Sequence, residues 1–260
     1  MRLVSWNINS VRARLHHVER FVDEHNPDII CFQETKVMDD IFPRKFFEEL
    51  GFAHIALHGQ KSYHGVAIVS RIPIEDVTKI NWCDKGDARH ISVKLSGGPT
   101  IHNFYVPAGG DEPDPVMNDK FAHKLQFLDE MTKWSAELDE PSILVGDLNI
   151  APYEHDVWDS KKLKKIVSHT PLERELMMAL IKAGDWQDIM RNFVPDTEKL
   201  YSWWSYRAAD WAGADKGRRL DHVWVTPTLK DTPITMQVVR DARAWEKPSD
   251  HAPVMVDFEF

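Results

Sequence analysis

Cysteine is almost missing from this chain. Cys31 and Cys83 are the only two in 260 residues, too few for a disulfide framework. Cys31 lies inside the apolar run Asp28-Ile29-Ile30-Cys31-Phe32, where a buried, inert thiol is expected. No stretch approaches the roughly 18 apolar residues that cross a bilayer. The opening residues Met1-Arg2-Leu3-Val4-Ser5-Trp6-Asn7 reach polar side chains without a signal-type apolar region, so a cytoplasmic protein with no membrane association is expected. Positive charge is also short: 32 Lys and Arg against 41 Asp and Glu leave a net charge of -9. That balance excludes a protein that simply coats nucleic acid, and an anionic substrate would need a local basic patch or a metal ion. There is no Gly-rich phosphate loop, no Ser in a nucleophile elbow and no Cys/His set with zinc spacing, which removes three common catalytic designs.

What is present reads as an ordinary folded protein, 43% hydrophobic and 28% charged, with no linker, low-complexity tract or strong repeat. One domain spanning 1–260 is expected. Ten tryptophans imply core packing for most and stacking surfaces for some. Arg2 to Ile8 reads as a strand; Val11, Leu15, Val18 and Val22 then recur at helical spacing, with Ser10 as N-cap and Pro27 as the stop. Asp28 to Gln33 is a buried strand, Phe42, Phe46, Phe47 and Leu50 mark a second helix, and 64–70, 90–95 and 101–106 are a run of strands. A long helix carries Phe121, Leu125, Leu128, Met131 and Leu138 on one face, followed by a strand over 142–147. Thr170-Pro171-Leu172-Glu173 has the form of a capping box with Pro at N1, and Gly184 closes that helix. Strands over 223–225, 236–239 and 254–258 complete an α/β chain of packed sheets covered by helices.

Polar residues cluster at the ends of the apolar strands. Asn7 and Asn9 are two apart and share one face of an extended segment, as do Asp147 and Asn149; Glu34 closes another strand, and Asp221-His222 and Asp250-His251 each precede one. Any one of these alone is an ordinary turn residue. Together they suit phosphodiester hydrolysis, which needs phosphate charge neutralised, a water activated and a leaving alkoxide stabilised. Glu34, with Asn7 as an oxygen ligand, fits a Mg²⁺ site. Asp147 fits a base for water and Asn149 a phosphate contact, while Asp221 paired with His251 would keep that imidazole protonated toward a phosphate oxygen. Most of the thirteen histidines are expected at the surface or satisfied in the core.

Seven short segments in order resemble the motif series of the exonuclease III and AP endonuclease family, within the endonuclease/exonuclease/phosphatase superfamily. They are Trp6-Asn7-Ile8-Asn9, Gln33-Glu34-Thr35-Lys36, Tyr105-Val106-Pro107, Gly146-Asp147-Leu148-Asn149, Ser202-Trp203-Trp204, Arg219-Leu220-Asp221-His222 and Ser249-Asp250-His251-Ala252-Pro253. The resemblance implies a four-layered α/β/β/α sandwich of two mixed β-sheets flanked by helices, with the site at one end of the sheets. It implies Mg²⁺ or Mn²⁺, double-stranded DNA as substrate, incision 5′ to abasic sites, 3′-to-5′ exonuclease action and 3′-end cleaning; a monomer is expected. By the same resemblance Glu34, Asn7 and Asp250 belong to the metal site, and Tyr105, Asp147, Asn149, Asp221 and His251 to the chemistry, with the base left open between Asp147 and His251. Trp203 and Leu220 match the pocket for an extrahelical sugar, and one of Trp203 and Trp204 is expected to be core. Arg89 and the run Lys161, Lys162, Lys164 and Lys165 are candidate phosphate contacts.

Two positions depart from the family pattern. Ala108 stands where a phosphate-contacting amide is usual, and Arg218 where a bulky apolar wedge is usual. They bear on the balance between abasic incision and end digestion. The rival readings are a phosphoesterase for lipid or sugar phosphates on the same scaffold, and a DNA-binding module without catalysis.

Overall fold

Strand β1 (Arg2–Asn7) and the last strand of the chain pair antiparallel, Arg2 opposite Asp257 and Ser5 opposite Val254, so both ends of the polypeptide lie in one sheet. The computed structural model describes all 260 residues. After β1 come α1 (Leu15–His25), β2 (Ile29–Gln33), α2 (Arg44–Glu49), β3 (His54–His58), β4 (Val66–Ser70), β5 (Ile74–Thr78), β6 (His90–Leu95) and β7 (Thr100–Tyr105). Then follow α3 (Asp119–Glu137), β8 (Ser142–Asp147), α4 (Ser160–Leu163), α5 (Pro171–Ala183), β9 (Gln187–Asp188) and α6 (Ile189–Phe193). The chain ends with β10 (Trp203–Trp204), α7 (Trp211–Ala214), β11 (Gly217–Arg218), β12 (Asp221–Val225), β13 (Pro233–Val238) and β14 (Val254–Phe258).

The strands form two six-stranded mixed sheets, β13-β14-β1-β2-β4-β3 and β5-β6-β7-β8-β12-β9, with β10 and β11 as a separate ribbon. Alternation along the strands sends one set of side chains to each face. Leu3, Ile29 and Cys31 from the first sheet meet Ile91, Ile101, Ile143, Val145 and Val223 from the second in a core between them. Val4, Trp6, Ile30 and Phe32 point the other way, onto Val18, Phe21 and Phe47 of α1 and α2. Phe104, Leu144 and Trp224 likewise cover Phe127, Leu128 and Met131 of α3 and Met177 and Leu180 of α5. The result is the four-layered sandwich implied by the motifs. No helix is long and apolar enough to cross a membrane.

Several expectations shift at the boundaries. Ser10 does not cap α1: its φ is 84°, its N–H donates to the Glu34 carbonyl, and the helix begins only at Leu15. Val11 therefore packs as a loop residue, and Asn26, left-handed at φ 46°, ends the helix before Pro27. On α3 the fully covered positions include Lys124 and Phe127, while Leu125 is only half-buried. Strands β3 and β5 carry no expectation from the sequence. They are edge strands, and β5 leaves Glu75 to Thr78 exposed, so no apolar alternation marks it. The Thr170 capping box on α5 is present in both directions, with Pro171 at N1.

Candidate active site

The two sheets end side by side. In the parallel pair β1/β2, Asn7 sits opposite Gln33, one residue before Glu34; in the parallel pair β7/β8, Tyr105 sits opposite Asp147; and antiparallel β12 begins with Asp221 opposite Asp147. His251 enters just before β14 and is bridged to Trp203 of the ribbon. Gly146 makes the approach of β7 to β8 possible, because at its φ of 140° a Cβ would collide with the Phe104 carbonyl oxygen.

The pairs at the ends of β1 and β8 do not share a face of an extended segment, as their spacing suggested. Each is an Asx turn: the Asn9 N–H donates to Asn7 Oδ1 at 3.1 Å, and the Asn149 N–H to Asp147 Oδ1 at 3.0 Å. Asn9, Glu34 and Asn149 all hold left-handed backbone, with φ of 47°, 53° and 54°. Such strain costs on the order of 1 kcal/mol each and persists only where neighbours fix it.

Asn7 is buried at the centre. Its Nδ2 donates to Glu34 Oε1 at 3.0 Å and to Asp147 Oδ2 at 2.9 Å, so one amide draws two carboxylates together. With its oxygen accepting from the Asn9 N–H, Asn7 acts here as a donor to both carboxylates. Tyr105 donates its hydroxyl to Glu34 Oε1 at 2.8 Å, and Lys36, unassigned from sequence, pairs with Glu34 Oε2 at 2.8 Å. Burial would raise the Glu34 carboxyl, but the Lys36 ammonium and the hydrogen bonds from Asn7 and Tyr105 outweigh it and hold Glu34 below the usual carboxylate range. Burial, then Glu34 and Asp147, push the Tyr105 phenol well above its ordinary value, so it stays neutral.

On the other side His251 Nδ1 lies 2.8 Å from Asp221 Oδ2, and Nε2 lies 3.6 Å from Asp147 Oδ2. Ser202, from the segment before β10, donates to the same Asp221 oxygen at 2.6 Å. Burial works against the imidazolium, yet Asp221 and Asp147 prevail and raise His251 to about 10. Burial, with Asp221 and Glu34 adding to it, pushes Asp147 up to about 7 against the attraction of His251. At neutral pH this pairs a protonated imidazole with a carboxyl group able to exchange a proton.

These groups open into a cleft of about 940 Å³ lined by Glu34, Tyr105, Asp147, Asn149, Trp203, Arg218, Leu220, Asp250 and His251. Asn7 and Asp221 sit behind that lining, fully buried. Trp204 is core, at 2% exposure, and Trp203 faces the cleft. Asp250 uses both oxygens, accepting from Trp203 Nε1 at 2.9 Å and Asn9 Nδ2 at 3.2 Å, and so anchors the Trp203 ring. Arg218 reaches over that ring, its guanidinium carbon 5.2 Å from the centroid, and donates to the Val167 carbonyl and to Ser168 Oγ. Arg89 is not at the open surface: it is buried, paired with Asp87, donates to the Tyr105 carbonyl and lies 5.1 Å above the Tyr105 ring. Lys161, Lys162, Lys164 and Lys165 are exposed, and Lys162 with Lys216 brackets Trp158 at the cleft wall. Lys36 stands inside one of the seven segments but drew no role from it, and Ser168 and Lys216 escaped sequence reading because nothing in their local pattern separates them from surface residues.

Hard oxygen donors suit a divalent cation. Glu34 and Asp147 converge on Asn7, and the buried Oδ1 of Asp221 has no hydrogen-bond partner. Asp147 and Asp221 also bring carboxylate oxygens within 4.8 Å of one another. The residues present therefore fit a metal ion.

Converging carboxylates, a charged imidazole and a neutral phenol at the shared end of two mixed sheets define a hydrolase for phosphate esters. The chain belongs to the endonuclease/exonuclease/phosphatase family, whose pattern it matches over residues 4–251, and is a hydrolytic nuclease within it. It is 32% identical to exodeoxyribonuclease III of Haemophilus influenzae over the full length of both chains. Among solved structures it superposes on an AP endonuclease from Archaeoglobus fulgidus at a TM-score of 0.92, with 31% identity and all of both chains covered. A 3′ phosphatase from Neisseria bound to a product DNA hairpin gives 0.91 at 32% identity, again over both whole chains. Nucleases of this family are metal-dependent.

Proposed function

We propose that this chain is a metal-dependent DNA repair nuclease that hydrolyses phosphodiester bonds in double-stranded DNA, incising 5′ to abasic sites and trimming and cleaning 3′ ends. The observation that carries the reading is the His251 imidazole set between Asp221 and Asp147 on the floor of an aromatic-lined cleft. Glu34 is the residue assigned to hold the cation, Mg²⁺ or Mn²⁺, supported by Asn7 and Asp250; when bound, that ion supplies positive charge to the phosphate oxygens. His251, kept protonated by Asp221, donates to a non-bridging phosphate oxygen. Asp147 takes a proton from the attacking water, which its pKa near 7 permits at neutral pH. Asn149 binds the phosphate through its side-chain amide, and Tyr105 donates its hydroxyl toward the phosphate or the leaving oxygen.

Trp203 and Leu220 form the wall against which an extrahelical sugar packs, a form of base flipping that a normal nucleotide resists. The net charge of -9 leaves phosphate attraction to local groups, among them Arg218, Lys216 and the exposed lysines of 161–165. The chain is read as one domain over 1–260, acting as a monomer in the cytoplasm.

The test is cleavage of a labelled duplex carrying one abasic-site analogue, with Mg²⁺ and with EDTA, beside an undamaged duplex with a recessed 3′ end. Metal-requiring incision on the 5′ side of the analogue is expected, together with 3′ digestion of the second duplex. No cleavage of either DNA would sink the reading and return attention to lipid or sugar phosphates.

A further inference from the structure

Beneath the cleft, outside the groups used above, lies a fully buried ion pair. Lys124 of α3 and Glu173 of α5 meet at 2.5 Å, and both side chains are 0% exposed. The other two protons of the Lys124 ammonium go to main-chain carbonyls, that of Asn149 at 2.8 Å and that of Ala108 at 3.3 Å. Glu173 in turn accepts from the Ser168 N–H at 2.9 and 3.0 Å, and Ser168 Oγ accepts from Arg218 at 2.8 Å. Asn149, Ala108, Ser168 and Arg218 all line the cleft.

A buried ion pair is weak evidence for stability, because apolar side chains of similar volume often serve as well. What an apolar pair cannot do is hold two loops through N–H donors while its carboxylate accepts from a third. One of those loops needs holding: Asn149 sits at φ 54°, where a side chain other than glycine is strained. We propose that Lys124, through its pair with Glu173, is a positioning residue of the site, fixing Asn149 on one wall of the cleft and the 167–168 strap under Arg218 on the other. The proposal rests on the reading of Asn149 as the phosphate-binding amide.

Lys124→Met alone leaves Glu173 buried without its partner and threatens folding, so the informative variant is Lys124→Met with Glu173→Gln, which carries no net buried charge. It is made in the parent and in Asn149→Ala, and kcat and KM are measured on the abasic duplex and on a small chromogenic phosphodiester. In the parent background a fall of about tenfold or more in kcat, with KM nearly unchanged, is expected. In the Asn149→Ala background the same pair should cost less than about threefold, because residues acting as one unit are not additive. Equal losses in both backgrounds, or a parent-like kcat, would overturn the proposal. So would failure of the charge-neutral pair to fold, which would make Lys124 and Glu173 a folding element. A parent chain active on the small diester but inert on duplex defeats the DNA reading alone and leaves the cycle legible; one inert on both defeats the two together.

Discussion

His251 and Asp221 are thirty residues apart and lead into strands of different sheets, yet their side chains meet at 2.8 Å, Nδ1 to Oδ2. Asp221 opens β12 of the second sheet, and His251 stands before β14 of the first. The hydrogen bond therefore closes the site end of the sandwich and fixes the charge of the imidazole in one step.

Removing that carboxylate should change the pH profile as well as the rate. His251 is held up to about 10, Asp221 and Asp147 outweighing burial, and the reaction as read here uses its protonated form, so activity declines as pH rises through that value. In Asp221→Asn the main raising charge is gone, the decline should move to lower pH, and kcat at neutral pH should fall by roughly a hundredfold. A pH–rate profile of the two proteins decides it; superimposable alkaline limbs would refute the role given to Asp221.

Trp203 is half-buried and faces the cleft, whereas its neighbour Trp204 is core. Trp203→Ala should slow abasic incision by about tenfold or more with a small change in melting temperature, and Trp204→Ala should do the reverse, with a stability loss of about 3–5 kcal/mol. Urea titrations alongside incision assays separate the two.

Arg218 crosses the aromatic side of the cleft, tied to Val167 and Ser168. Arg218→Ala should open that side and raise the ratio of abasic incision to 3′-end digestion. An unchanged ratio in a side-by-side assay of the two duplexes would show that Arg218 does not set it.

Arg219 is structural. Its guanidinium is fully buried between Asp156, at 2.8 and 3.0 Å, and Asp188, at 2.9 and 2.8 Å. Arg219→Met leaves the Asp188 carboxylate without a cation and Asp156 with Arg191 alone, and should cost about 3–5 kcal/mol of stability, read from denaturant midpoints.

Acid should destabilise the fold well before the carboxylates outside the site titrate. Burial lowers His222 to about 3 and His102 to about 4, and lowers His90 well below 6.5. Because these folded-state values lie under that of an unfolded histidine, the unfolded chain binds protons first, and stability present above about pH 6.5 is lost as pH falls toward the folded values. His222→Gln, which keeps a donor for the Ile150 carbonyl, should flatten the fall in urea midpoint between pH 7 and 5. Parallel curves for parent and variant would count against this source of acid sensitivity.

Helices α1, α2, α3 and α5 and the central strands were legible because their apolar residues repeat at 3.6 or 2 and lie between covered faces, whereas α4, α6 and α7 are too short to show a period. Capping at Thr170 was legible for a local reason, an N-cap hydroxyl and a Glu three residues on. The edge strands β3 and β5 were not, since an exposed strand needs no apolar face. Ser10 misled because a capping side chain is only a local option, and here the Glu34 carbonyl claimed its backbone first.

The sequence by itself determined which residue types stand at the strand ends: Asn7, Glu34, Asp147, Asn149, Asp221 and His251 are all at one end of the sandwich because each closes or opens a strand. Only the tertiary structure decided what each of them touches. Asn7 became a donor between two carboxylates, Arg89 a buried support for Tyr105, and Lys124 a clamp beneath Asn149. Strand ends are set by local periodicity, but hydrogen-bond partners and proton affinities depend on which buried groups the packing of the two sheets brings within 3 Å, and that is a property of chain segments far apart in sequence.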